Sequence, residues 1–180
     1  RDAPESQAWL PGDLSNLIIG QGDLLVTPLQ ICCGYAGLAT GRVPKPVLLH
    51  SVISTDGTMT AVDGARYQGS IIQPEFDQKN IDIMRSGFRG VVENGSVSRV
   101  FEDMGIATSG KTGTGEVAGK DDYGWYVGYG PTDAPEYVCV CCIEEGGSGA
   151  TCAAPAVRSV LAAAFGLSAE HVSGSATEER

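Results

Sequence analysis

The chain has 180 residues, 42% of them hydrophobic, enough to build a core for one domain or part of one. Its formal net charge of −10 argues against a nucleic-acid partner and offers no attraction to an anionic membrane surface. No run of 18 apolar residues is present, so no membrane span or membrane contact is expected, and the acidic start Arg1-Asp2-Ala3-Pro4-Glu5 is unlike a secretory signal. With no initiator methionine, the sequence reads as a piece excised from a longer chain.

Residues 1–26, rich in Gly, Pro and Asp, read as an irregular, extended lead-in. The first helix is expected at Thr27, where Thr27 is the N-cap, Pro28 suits the first helical position and Gln30 completes a capping box. Leu29, Cys32, Cys33, Ala36, Leu38 and Ala39 would form its apolar side, with Gly41 as the stop. Residues 47–53 look like a strand, and Asp56-Gly57 marks a hairpin turn. His50 in that strand has no partner motif and reads as a packed or surface histidine. Residues 60–76 read as loop with short extended pieces. A second helix is expected from Asp77 to Asn94, burying Ile81, Met84, Phe88, Val91 and Val92, with Lys79, Arg85 and Arg89 on a solvated face.

Three strands should follow, at about 107–116, 124–129 and 136–144, joined tightly enough to form an antiparallel meander. The last is apolar on both faces and is expected at the centre of the sheet. Trp125 and Tyr126 must point to opposite faces, one of them into the core. A final helix over about 152–165 would carry the stripe Val157, Val160, Leu161 and Phe165, with Pro155 in its first turn. Residues 167–180 form a polar tail expected to be disordered. The architecture implied is α/β of the α+β type, an antiparallel sheet flanked by helices.

The six cysteines, Cys32, Cys33, Cys139, Cys141, Cys142 and Cys152, sit mostly in apolar surroundings and read as buried free thiols. Cys139 and Cys142 have C-x-x-C spacing, but strand alternation sends them to opposite faces and no second ligand pair follows, so no metal site is expected. If one bridge exists, Cys152 is the first candidate, because its loop-to-helix junction lies near the strand cysteines.

The stretch Ser109-Gly110-Lys111-Thr112-Gly113-Thr114-Gly115 places a lysine and three hydroxyls among three glycines. Such a strand packs poorly but lets a ligand come close to the backbone. Regular alternation puts Lys111 and Gly113 on one face and Thr112 and Thr114 on the other; a bulge at the glycines would let Lys111 and Thr114 share a cleft edge. Residues 105–112 also match the phosphate-binding P-loop pattern, which demands a helix beginning at Lys111-Thr112. The three glycines in 113–119 argue against that helix, since each costs about 1 kcal/mol relative to alanine.

The competing reading takes Lys111-Thr112-Gly113 as the Lys-Thr-Gly element of serine acyltransferases that react with penicillin. Its surroundings strengthen it: Gly20-Gln21-Gly22 and Thr27-Pro28-Leu29-Gln30 upstream, Gly124-Trp125-Tyr126-Val127-Gly128 at hairpin distance, and Ala153-Ala154-Pro155 downstream. In this order the chain resembles, over residues 9–166, the C-terminal part of the transpeptidase domain of class B penicillin-binding proteins. Members often carry Gly-Thr-Ala where this chain has Gly95-Ser96-Val97, which keeps the turn and a hydroxyl.

The resemblance implies a domain on the extracytoplasmic face of a bacterial membrane, anchored upstream, that cross-links peptidoglycan stem peptides through a serine acyl-enzyme without a cofactor. Its partners would be those stem peptides, β-lactams in the complete domain, and the N-terminal part of the same domain. Lys111 matches the lysine that points into the cleft and supplies positive potential. Thr112 and Thr114 match the hydroxyls that bind the substrate carboxylate, and Gly113 leaves room for the acyl donor. The Thr114 backbone N–H matches one oxyanion donor. The family's Ser-x-x-Lys and Ser-x-Asn motifs occur nowhere in the 180 residues, so the nucleophile is expected upstream of Arg1 and the chain alone is expected to be inactive. Gly20, Gln21 and Gly22 read as structural. A class D β-lactamase or β-lactam sensor resembles the Lys-Thr-Gly and Gly-Trp-Tyr-Val-Gly stretches too, and a non-catalytic binding module on the same fold is the alternative of another class.

Overall fold

The computed structural model describes residues 10–22, 24–46, 51–61, 75 and 77–168. The described elements, in chain order, are α1 (Pro11–Ile18), α2 (Pro28–Thr40), β1 (Ser51–Ile53), β2 (Met59–Ala61), α3 (Gln78–Glu93), α4 (Ser98–Phe101), β3 (Ser109–Gly115), β4 (Tyr123–Gly130), β5 (Tyr137–Ile143) and α5 (Ala153–Ala164).

α1 corrects the expectation of an irregular lead-in. Pro11 opens the helix with its preset φ, and the Leu10 N–H donates to Asp13 Oδ2 at 2.8 Å, so the proline and aspartate that read as loop residues are a helix start. Gly20, at φ +77°, ends it. Residues 1–9 of that lead-in lie outside the described residues. α2 begins as expected: the Gln30 N–H donates to Thr27 Oγ1 at 3.2 Å and the Thr27 N–H to Gln30 Oε1 at 2.8 Å, which satisfies two N-terminal donors reciprocally. Gly41, also left-handed, is its C-cap. Ala39 is buried, but Leu29 in the first turn is exposed rather than part of the apolar side.

β1 and β2 form an antiparallel hairpin at Asp56-Gly57, where Asp56 Oδ1 accepts from the Thr58 N–H at 2.9 Å. The first part of the strand expected there, with His50, lies outside the described residues, as do 62–74 and 76 of the expected loop. α3 is capped by Asp77, whose Oδ1 accepts from the Lys79 N–H at 2.9 Å. It buries Ile81 and Phe88, whereas Met84 is exposed. Arg85 does not lie on a solvated face: its Nε donates to the Leu38 carbonyl at 2.8 Å, placing a cation at the C-terminal end of α2. Arg89 pairs with Glu93 on the surface at 2.8 Å. The four-residue α4 was not anticipated; buried Val97 and Phe101, four positions apart, pin it to the core.

The main sheet has the order β3-β4-β5, antiparallel throughout, as the short links require. β4, not β5, is its centre. Tyr126 to Gly130 are buried along β4, while residues 138–143 of β5 are half-buried and β5 holds an edge among the described residues. The two-faced apolarity of β5 comes from cover on both faces, by α5 on one and α2 on the other, rather than from a central position. Trp125 and Tyr126 face opposite ways, and Tyr126 is the core residue, fully buried with its ring 5.6 Å from Phe101. The face carrying Tyr126 packs against α5 through Val157 and Leu161; the face carrying Tyr129 packs against Ala39 and Phe88. α5 turns its stripe to Val157, Arg158, Leu161 and Ala162, leaving Val160 exposed. All six cysteines are free and half-buried. Of the expected tail, everything from residue 169 lies outside the described residues.

Candidate active-site wall

Residues 109–115 form a regular strand, not a loop entering a helix, which removes the nucleotide reading. The β3–β4 register runs unbroken from Ser109↔Tyr129 to Gly115↔Tyr123, so no bulge rotates Lys111 towards Thr114. Alternation holds. Gly110 lies over Tyr126, because a Cβ there would meet the Tyr126 ring and hydroxyl, and Gly113 faces Trp125. Thr112 and Thr114 therefore share the Tyr126 face, and Lys111 shares the Trp125 face with Gly113.

The backbone brings these residues together where the side chains diverge. β4 occupies one edge of β3. On the other edge, the Thr114 carbonyl accepts from Gln21 Nε2 at 3.3 Å and the Thr112 carbonyl from Lys111 Nζ at 2.7 Å. In an antiparallel ladder a residue either exchanges both backbone bonds with its partner or turns both groups away. Thr112 and Thr114 thus turn carbonyl and N–H to the edge not taken by β4, while Lys111 and Gly113 bond to Val127 and Trp125. The Lys111 ammonium curls over the same edge to reach Thr112. One lysine amine and the N–H groups of two threonines line it, and both Lys111 and Thr114 are exposed.

The underside of this edge is fixed. Ser109 is fully buried and its hydroxyl lies 3.0 Å from Thr132 Oγ1. A Cβ at Gly113 would stand 3.2 Å from Trp125 Cβ, so this glycine serves the packing of β4 as well as the openness of the strand. Gly149, in the loop before α5, lies against the Gly113 and Trp125 carbonyls so closely that a Cβ would stand 2.6 Å from the Gly113 oxygen. One groove, of about 660 Å³, continues past the C-terminal end of the strand between Gln21 and Glu116. Another, of about 820 Å³, lies at its N-terminal end between Arg99 and Thr108.

The contact sequence reasoning missed is Gln21, which reaches β3 across 93 positions of chain. Its signal was the pair of flanking glycines, Gly20 and Gly22, both at positive φ, which read only as structural.

An antiparallel sheet with helices on both faces and a Lys-Thr-Gly strand along one side fits a penicillin-interacting serine acyltransferase. The chain belongs to the penicillin-binding-protein transpeptidase domain family, whose model it matches over residues 3–162. It is 28% identical over 177 residues to the peptidoglycan D,D-transpeptidase MrdA of Haemophilus influenzae, covering 85% of this chain and 26% of that protein. To the penicillin-binding protein PbpB of Mycolicibacterium smegmatis it is 34% identical over 153 residues, covering 75% of this chain and 22% of that protein. Among solved structures it resembles a chain of a peptidoglycan synthase complex, with a TM-score of 0.70, 35% identity, 93% of this chain and 27% of that one covered. It also resembles Pseudomonas aeruginosa PBP2 in complex with WCK 5153, with a TM-score of 0.66, 28% identity, 87% of this chain and 33% of that one covered. The chain thus spans about a quarter of the length of the curated relatives it matches.

Proposed function

We propose that β3 is one wall of a D,D-transpeptidase cleft, and that the protein to which this chain belongs cross-links peptidoglycan stem peptides on the extracytoplasmic face of a bacterial membrane. The observation that carries the reading is the direction of the Thr114 backbone. Its N–H faces the edge not taken by β4, where a substrate lying alongside the strand would place its reacting carbonyl oxygen.

In the acylation step a serine oxygen attacks the scissile amide carbonyl of the stem peptide, and charge develops on the carbonyl oxygen, to which the Thr114 N–H donates. The amide C–N bond then breaks, releasing the terminal residue as its amine and leaving the acyl group on the serine. Loss of one such donor typically slows acyl transfer about 100- to 1000-fold. Thr112 and Thr114 would bind the substrate carboxylate through their hydroxyls, and Lys111 would leave its contact with the Thr112 carbonyl to hold the positive potential that the carboxylate needs. Gly113 leaves that edge without a side chain at its centre. The attacking serine is not among these 180 residues, because no serine here is followed by lysine at the third position or asparagine at the second. It belongs to another part of the same protein, and the same cleft in the complete domain would accept β-lactams as acyl donors.

Intact-mass spectrometry tests the division of labour. After incubation with benzylpenicillin, the 180-residue chain should show no adduct, while the complete domain that contains it should gain one penicilloyl group. A stoichiometric serine adduct on the chain alone, or none on the complete domain, would refute the reading.

A further inference from the structure

We infer that Gln21 is a positioning residue for the exposed edge of β3: an amide locked by a helix terminus that holds the Thr114 peptide in place. The inference rests on the transpeptidase reading only for its consequence in catalysis.

The lock is built from backbone. α1 ends with Ile19 as C-cap and Gly20 in the left-handed conformation at φ +77°. The Gly20 N–H donates to the Leu17 carbonyl at 3.0 Å and the Gln21 N–H to the Asn16 carbonyl at 2.8 Å. These are the paired closing bonds of a Schellman terminus, and they fix the Gln21 backbone to the helix end. Gly22, at φ +72°, turns the chain away, and a Cβ there would stand 3.1 Å from Asn16 Cβ. Gln21 is therefore pinned on both sides, and its side chain reaches β3, donating Nε2–H to the Thr114 carbonyl at 3.3 Å.

The strand needs such a restraint at this position. Thr114 lies between Gly113 and Gly115, residues with the largest backbone freedom to lose on folding. Its carbonyl and N–H turn away from β4, so the ladder holds them only through the other half of each peptide, the Gly115 N–H and the Gly113 carbonyl. Without a donor, the Thr114–Gly115 peptide can tilt about its Gly115 N–H, the strand end loosens and the Thr114 N–H loses part of its aim. With the Gln21 amide in place, the carbonyl is satisfied and the N–H stays directed along the same edge. Gln21 touches no reacting atom; it acts through Thr114.

Two variants, Gln21→Met, which keeps length without a donor, and Gln21→Glu, which replaces the amide donor by an acceptor, test this in the 180-residue chain by NMR. Both should move the Thr114 carbonyl carbon-13 signal upfield. Amide exchange at Gly113 and Gly115 should accelerate by about 2- to 12-fold, the equivalent of one neutral hydrogen bond, while Ser109 and Tyr126 exchange as before. No change at Gly113 and Gly115, or an equal acceleration across the whole sheet, would overturn the inference. In the complete domain, Gln21→Met should slow the acylation step by benzylpenicillin by a similar factor and leave its non-covalent binding constant unchanged. An unchanged acylation step alongside a normally acylated parent domain would overturn the catalytic role. A parent domain that is not acylated at all would instead remove the transpeptidase reading, and the exchange data would still decide whether Gln21 holds the strand.

Discussion

Replacing Gly110 by alanine tests the packing beneath the strand. The new methyl group would meet the Tyr126 hydroxyl, would stand 2.6 Å from Tyr126 Cζ, and would stand 2.6 Å from the Val127 carbonyl oxygen. Neither neighbour gives way easily, because Val127 is fixed in the β3–β4 ladder and Tyr126 is fully buried against Phe101. Overpacking of this kind costs about 1–3 kcal/mol. For a chain of this size that lowers the melting temperature by about 2–12 °C. The Tyr126 hydroxyl also has no hydrogen-bond partner among the described residues, so Tyr126→Phe alone should be neutral or stabilising. In the Tyr126→Phe background the alanine loses its worst contact, and its cost should fall by about 1 kcal/mol. Thermal unfolding of the four proteins of this cycle, followed by circular dichroism, measures the coupling. An equal cost of Gly110→Ala in both backgrounds would show that the hydroxyl does not lie under Gly110.

Alkaline stability should depend on the same side chain. Burial pushes the Tyr126 phenol well above its ordinary range, so the folded state holds the proton that the unfolded chain releases near pH 10. That stability is intact below pH 10 and falls above it by about 1.4 kcal/mol per pH unit for one such group. Urea unfolding between pH 9 and 11 should therefore be less steeply pH-dependent in Tyr126→Phe than in the parent, and identical slopes would contradict this. The thiols give a second check. Burial raises Cys32, Cys139, Cys141 and Cys142 above the usual thiol range, which lowers the reactive thiolate fraction. Iodoacetamide at pH 8 should alkylate these four severalfold more slowly in the folded chain than in urea, as read by peptide mass spectrometry; equal rates would show that they are not shielded.

Much of this fold was legible because local rules and tertiary packing agree. Thr27-Pro28 with Gln30 states a helix start in its own residues, and the short links at 116–122 and 131–136 leave an antiparallel meander as the simple solution. The misreadings fall where a residue type has two uses. Pro11, Asp13 and Gly20 punctuate a loop or bound a helix equally well, and only the apolar positions between them, all exposed in α1, would have decided it. β5 is apolar on both faces because two helices cover it, a pattern that sequence cannot distinguish from a central strand. Arg85 looked solvated because helical periodicity carries no information about the carbonyl that another helix leaves nearby. At the site, the Lys-Thr-Gly stretch announced the strand. The way Lys111 and Thr114 come together did not show, because it runs through backbone direction rather than side-chain alternation. The Gln21 contact spans too much chain for any local pattern to contain it.

The central claim is that the exposed edge of β3 is the cleft wall, and the second-order rate constant for acylation by benzylpenicillin in the complete domain tests it most directly. Thr114→Val keeps shape and the backbone N–H but removes the hydroxyl. A hydrogen bond to a charged group contributes about 1.5–3 kcal/mol, so the rate constant should fall by about 10- to 150-fold. Lys111→Ala removes the charge altogether and should cost more. Rate constants unchanged in folded Thr114→Val and Lys111→Ala proteins would contradict the account, because a strand that can lose both groups without effect does not line the cleft.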